Sequence, residues 1–273
     1  MTERILVFIP CYNCEQQIGR VLQQFGGVPP ASFDEILVLD NRSTDGTAEA
    51  AVAASPMMVD FRFIVARNRE NYNLGGSHKA VFAYAEARGF SHVVVLHGDD
   101  QGRISDVLPL LASGAHRNHD ACLGARFMAG SRIKGYSYIR QIGNRVFNLI
   151  FSLALGRRVA DLGSGLNVFG RTVFPREITT HLPDDLHFNP YLLAAMADRG
   201  MRIVFFPITW REDDQVSNVR MASQALKTLG AAREYLTSRR DLRTRDHRQV
   251  LRDEYTFDVI AHHEPFPVGA QGR

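Results

Sequence analysis

The sequence predicts an α/β protein with a mostly parallel sheet flanked by helices, and three observations point there. Nearly continuous apolar runs of strand length recur at residues 4–10, 35–40, 61–66 and 93–96. The first three are each followed by a stretch of helical character, giving four strands that alternate with helices within about 115 residues, the pattern of a right-handed doubly wound sheet. The runs at 35–40 and 93–96 each end in a polar tip, at the carboxyl end of the strand where open α/β sheets bind ligands.

The first run stops at Pro10, with Tyr12 and Asn13 in the turn that follows. A helix over 15–25 is expected because Ile18, Val21, Leu22 and Phe25 share one face. The second run ends in Asp40 and Asn41 and leads to an Ala-rich helix over 47–54. After the third strand, Gly75, Gly76 and Ser77 precede a helix through Val81, Phe82 and Ala85, a setting in which backbone N–H groups can approach a diphosphate. Helix starts and tight turns use paired glycines for other reasons too.

The fourth strand closes abruptly with His97, Gly98, Asp99, Asp100 and Gln101. Two adjacent carboxylates at a buried strand end are costly without a compensating cation or hydrogen-bond network. A divalent metal meets that need: Asp and Gln offer hard oxygen ligands, and Gly98 allows close approach of the backbone. The plainer reading is that the two Asp residues cap the next helix, near Ser105.

At 273 residues and 45% hydrophobic content, the chain can bury a full core in one large domain with at most a small appendage. A formal net charge of +3 is too small to argue for nucleic acid, and no such partner is expected, although the basic residues other than Lys79, Lys134 and Lys227 are all Arg. Cys11, Cys14 and Cys122 are odd in number, which fits a reducing, cytoplasmic setting better than a disulfide framework. The Cys11 to Cys14 spacing suits a redox pair but equally an ordinary loop. No signal peptide is expected, and no segment reaches the ~18 to 20 apolar residues a bilayer crossing needs. The run at 146–155 contains Asn148 and Ser152 and is too short.

Taken in order, Pro10-Cys-Tyr-Asn13, Asp40-Asn-Arg-Ser-Thr-Asp-Gly-Thr47, Asn71-Tyr-Asn-Leu-Gly-Gly76 and the strand ending in His97-Gly-Asp-Asp-Gln101 resemble the motifs of family 2 glycosyltransferases with the GT-A fold. Within that family the chain is most similar to dolichol- and polyprenyl-phosphate sugar synthases, over roughly residues 4 to 230. The resemblance implies a GT-A domain over 1–230, with a nucleotide half to about 115 and an acceptor half over 116–230. Residues 231–273 then form an Arg-rich helical extension and an irregular tail.

The resemblance also assigns roles. It implies that Pro10, Tyr12, Asn13, Asp40, Asn41, Gly75, Gly76 and Gly98 bind the nucleotide of a UDP- or GDP-sugar, with Asp40 reading the base because Asn41 stands where a second Asp is common. The Asp-x-Asp-x-Gln metal motif falls on His97, Asp99 and Gln101, so Asp99 and Gln101 are matched ligands for Mg²⁺ or Mn²⁺. His97 departs from the pattern, either as a ligand that favours Mn²⁺ or as a partner of metal-bound water. Arg126 and Arg140 match the two arginines that meet an acceptor phosphate. Asp161 matches the family's acceptor-side Asp, and Arg211, Ser217 and Arg220 match groups that close over the donor diphosphate.

The implied activity is metal-dependent, inverting transfer of a sugar to a polyprenyl-phosphate-type lipid at the inner face of the cell membrane. The alternatives are transfer to a hydroxyl of a saccharide or small molecule, and a degenerate protein that only binds sugar nucleotides. Seven Arg against three acids over 233–252 describe either a solvated helix or a stretch drawn to anionic headgroups.

Overall fold

The computed structural model describes residues 3–212 and 221–265. The expected opening units are all present: β1 (Ile5–Cys11), α1 (Glu15–Gln23), β2 (Glu35–Asp40), α2 (Thr47–Ala53), β3 (Phe63–Asn68), α3 (Asn73–Ala87), β4 (His92–Leu96) and the short α4 (Leu108–Ala112). The second half supplies β5 (Ala121–Ala125), β6 (Arg132–Lys134), α5 (Tyr138–Leu155), β7 (Leu166–Gly170), α6 (Arg176–Thr179), α7 (Phe188–Asp198), β8 (Ile203–Pro207) and β9 (Thr209–Arg211). It ends with α8 (Met221–Thr237), α9 (Arg239–Thr244) and β10 (Phe257–His263).

Eight strands form one sheet in the order β10-β3-β2-β1-β4-β7-β5-β8, and β6 pairs with β9 in a small parallel ribbon. Strands β1 to β4 are mutually parallel, whereas β7 runs antiparallel between β4 and β5. Alternation along the strands builds a core on each face. Leu6, Phe8, Leu37, Leu39, Val93 and Val95 pack with residues of α3, α5 and α7 on one side. Val7, Ile9, Ile36, Val38 and Val94 pack with α1 and α2 on the other.

The connections place the site. From β1 the chain moves outward through β2 and β3, then returns to set β4 against the other side of β1. The strand order therefore reverses between β1 and β4, and the segments after these two strands meet at that switch point.

The carboxyl end of the chain differs from the expected irregular tail. Phe257–His263 pairs antiparallel with β3 and extends the main sheet, with a register shift between Val259 and Ala261. A half-exposed edge strand does not need a fully apolar run, so the mixed sequence of this segment hid it. The Arg-rich stretch also makes ion pairs with the rest of the chain. Arg239 and Arg243 meet the buried Asp198, Arg245 meets Glu234, Arg248 meets Asp246, and Arg252 bridges Glu70 and Asp184. At least five of its seven arginines are thus engaged in ion pairs within the protein.

Candidate active site

The loops after β1 and β4 touch at the switch point. The Gly98 N–H donates to Pro10 O at 3.0 Å, and a Cβ on Gly98 would lie 2.3 Å from Cys11 Sγ. A larger residue there would have to displace the Cys11 side chain at the end of β1. In that first loop Asn13 takes a left-handed φ of 54°, and its Oδ1 accepts from Thr44 N at 2.8 Å, while the Tyr12 side chain is exposed.

Within the acidic turn, Asp99 and Asp100 have different environments. Asp100 has a left-handed φ of 60° and a buried side chain. Its carboxylate accepts from Arg20 Nε at 2.8 Å, from Gln24 Nε2 at 3.0 Å and from Arg211 Nη2. This supplies the hydrogen-bond network that a buried carboxylate requires. Asp99 accepts from the Gln101 N–H at 3.2 Å, and burial raises its carboxyl to about 6. A carboxylate whose charge is disfavoured by burial is stabilised by a nearby cation.

His97 heads the same turn. Burial, with a contribution from the nearby Arg126 charge, lowers its imidazole to about 4, so the ring is neutral at neutral pH. Its Nε2 is buried without a hydrogen-bond partner. By type, a neutral imidazole nitrogen and the Asp99 carboxylate two residues on are donors suited to a borderline divalent cation. A second group of ligand-type side chains, Glu3, His92 and His116, lies at the opposite end of β4. Glu3 there already accepts from His116 and Arg117.

Arg126 and Asp161 form a buried pair. Asp161 accepts from Arg126 N, Nε and Nη2, each at 2.8 Å, and from Gly163 N at 3.2 Å. The guanidinium sits 5.0 to 5.5 Å from the ring centroids of Trp210, Phe127 and Tyr136. Burial disfavours this cation, but the charge and hydrogen bonds of Asp161 more than offset that and raise its pKa.

Arg140 is half-buried in the first turn of α5 and donates to Glu212 Oε2 at 2.7 Å. The other Glu212 oxygen lies 3.5 Å from Gln101 Nε2. Glu212 therefore joins the acidic turn to Arg140. It is held by its own N–H to Lys134 O at 3.0 Å, and its carbonyl approaches Gly135 so closely that a Cβ there would lie 2.1 Å away. Arg211, the residue before it, donates its N–H to Gln101 O at 3.0 Å and its Nε to Asp100 O at 3.1 Å.

The structure thus gathers Pro10, His97, Gly98, Asp99, Gln101, Arg126, Arg140, Asp161 and Arg211 around the ends of β1 and β4 and the strand segments facing them. Asp40 and Asn41 are instead built into links between strands and loops. Asp40 is buried and accepts from Arg67 Nε at 2.7 Å and Ser43 N at 3.0 Å. Asn41 bonds Asn68, Asn71 and the Tyr72 N–H. The N–H groups of Gly75 and Gly76 reach Asp184 O at 2.6 and 3.3 Å, so these amides already have an acceptor in the protein. Ser217 and Arg220 lie outside the described residues.

Sequence reasoning missed Glu212, Arg67, Arg20 and Gln24. Arg67 at the polar end of β3 could have been found from its position. Arg20 and Gln24 share a helical face, yet nothing local names a partner 76 to 80 residues away.

A mostly parallel sheet flanked by helices, with an acidic turn at its switch point, is the arrangement of the GT-A class of glycosyltransferase fold. The chain belongs to the glycosyl transferase family 2, whose profile matches residues 6–182. It is 25% identical over 218 residues to a polyprenol monophosphomannose synthase of Mycolicibacterium smegmatis, covering 77% of this chain and 78% of that protein. It is 26% identical over 208 residues to an undecaprenyl-phosphate 4-deoxy-4-formamido-L-arabinose transferase of Salmonella enteritidis, covering 74% of this chain and 58% of the relative. The fold is similar to that of glucosyl-3-phosphoglycerate synthase from Mycobacterium tuberculosis in complex with UDP. That match has a TM-score of 0.60 and 17% identity, and covers 86% of this chain and 80% of the other.

Proposed function

We propose that this glycosyltransferase moves a sugar, with inversion, from a nucleotide diphosphate to the phosphate of a polyprenyl-type lipid at a membrane surface. The observation that carries the reading is the link from Gln101 through Glu212 to Arg140, which sets a guanidinium beside the acidic turn but on the acceptor helix. An incoming phosphate can take the place of the Glu212 carboxylate on Arg140, exchanging one anion for another. The names of the polyprenol and undecaprenyl-phosphate relatives support the same acceptor class.

Asp99 and His97, with Gln101, would hold a divalent cation, which when bound neutralises charge on the departing diphosphate. The rest falls to the chain. The Arg126 and Asp161 pair fixes the cleft floor, and Arg140 orients the acceptor oxygen towards the anomeric carbon. The new bond joins that oxygen to the carbon as the bond to the nucleotide diphosphate breaks on the opposite face. A phosphate monoester is already largely anionic at neutral pH, so no general base is required. M. tuberculosis glucosyl-3-phosphoglycerate synthase was crystallised with Mn²⁺ and UDP-glucose, which supports testing UDP-sugars and Mn²⁺ first.

A second reading rests on Glu212 itself. A carboxylate between Gln101 and Arg140 is placed to take a proton from a hydroxyl acceptor. The test is a panel of UDP- and GDP-sugars with Mn²⁺ or Mg²⁺, offered polyprenyl phosphate or hydroxyl acceptors, with products read by mass spectrometry. Sugar on the lipid phosphate, lost in Asp99→Asn together with metal-dependent donor binding, is the expected result. Transfer to hydroxyl acceptors alone would overturn the lipid reading, and donor binding without turnover would mark a degenerate protein.

A further inference from the structure

α5 carries an apolar face that the fold leaves uncovered. Tyr138, Ile139, Ile142, Val146, Leu149 and Leu153 are all exposed, with Ile139 at 77% and Leu153 at 74%. At helical spacing these six positions fall within an arc of about 100°. The opposite face supplies Phe151, Ala154 and Leu155 to the core, and Asn148 Nδ2 is tied to Ala160 O at 2.7 Å. The orientation of the stripe is therefore set by packing. A stripe this long on a soluble surface calls for a partner.

Charge identifies that partner. Between Asp120 and Asp161 the chain has no acidic residue but seven basic ones: Arg126, Arg132, Lys134, Arg140, Arg145, Arg157 and Arg158. Arg132, Lys134, Arg145 and Arg158 are exposed, and Arg145 lies along the rim of the apolar stripe. A second copy packed face to face on α5 would bring the two Arg145 rims together with no acid from this segment to offset them. An anionic bilayer satisfies both the apolar stripe and its basic rim. Among the described residues no helix is long and apolar enough to cross a membrane, so α5, about 27 Å long, would lie along the surface.

We infer that α5 is the element that docks this protein on anionic lipid, with its apolar stripe in the headgroup and acyl boundary. The Arg-rich segment after α8 is a weaker candidate because its arginines are largely spent on internal ion pairs. Docking through α5 deepens the lipid-acceptor reading, since Arg140 sits in the first turn of the same helix, but it can be tested without any acceptor.

The test is flotation of the full chain with vesicles of phosphatidylcholine, alone or with three parts in ten phosphatidylglycerol. The wild type should float with the anionic vesicles, less at high salt, and poorly with the neutral ones. Leu149→Glu with Leu153→Glu should cut the bound fraction about tenfold or more, while UDP and Mn²⁺ still raise the melting temperature as in the wild type. Arg233→Glu with Arg240→Glu should change binding little. Equal flotation of the α5 variant, or no flotation of the wild type, overturns the inference. So does a wild-type dimer, seen by light scattering, that the α5 variant converts to monomer without any vesicle binding. Wild-type docking through α5 without transfer to lipid phosphate would uphold this inference and overturn the acceptor reading instead.

Discussion

The buried pair of Arg126 and Asp161 separates a structural role from an acceptor-binding role, and its removal has a calculable cost. Asp161 receives three N–H groups from Arg126 at 2.8 Å, and both side chains are almost fully enclosed. Asp161→Ala strands a guanidinium that cannot shed its proton, a change that costs about 3 to 5 kcal/mol in comparable buried pairs. Arg126→Met leaves the carboxylate with only the Gly163 N–H and should cost a similar amount, about 3 kcal/mol or more. Replacing both, as Arg126→Met with Asp161→Leu, removes the stranded charge. The double variant should therefore lose less than the sum of the singles, by about 2 to 3 kcal/mol.

Urea unfolding followed by tryptophan fluorescence is the natural assay. Trp210 is the single tryptophan, is buried, and has the Arg126 guanidinium 5.0 Å from its ring centroid. Single variants within about 1 kcal/mol of the wild type and additive in the double variant would refute the reasoning. Arg126 would then be free to meet a phosphate, and Arg126→Met should lose acceptor use with its stability intact.

Glu212→Gln divides the two acceptor readings. With a phosphate acceptor it should lower KM for the acceptor several-fold and spare kcat, because a competing anion leaves Arg140; with a hydroxyl acceptor it should collapse kcat. His78 makes the fold acid-sensitive. It is buried against Phe8, Phe82 and Phe188, and burial lowers its imidazole to about 3. The unfolded chain, with a histidine near about 6.5, binds the extra proton first as pH falls, so stability rises with pH between these values. Going from pH 7.5 to 5 should cost about 2 kcal/mol through this residue, and His78→Phe should flatten that part of the urea-midpoint profile; an unchanged slope would exclude His78 as its source.

The strands were legible because burial on both faces writes a continuous apolar run, and the expected bounds of β2 coincide with the observed Glu35–Asp40. Direction was not. The segment Leu166–Gly170 is as apolar as its neighbours, and nothing in it says that β7 runs antiparallel between β4 and β5. Side-chain partners were harder still. Asp100 takes its cations from positions 80 and 111 residues away, and Asp161 is joined to an arginine 35 residues back. Residue type showed that the paired carboxylates of Asp99 and Asp100 needed compensation, but only the fold could say that Asp100 obtains it from within the protein. By the same limit, an arginine count cannot tell a solvated cation from one held by Asp198 or Asp184.

The two residues ending the β9 segment explain how such a cleft can act as one unit. Arg211 is fastened to Asp100 and to the backbone of Gln101, and Glu212 is fastened to Arg140 and the side chain of Gln101. They are adjacent in sequence, so a movement of the acidic turn that shifts Arg211 must also shift Glu212 through one peptide bond. Glu212 cannot move without changing its 2.7 Å contact to Arg140. The acidic turn and α5 are therefore linked through a dipeptide anchored to β6 by the Lys134 and Arg211 register, and by a glycine at 135 that leaves no room for a side chain. A glycosyltransferase gains from that coupling because it must hold the leaving group and the acceptor in line at the same moment, and small losses of alignment cost large factors in rate.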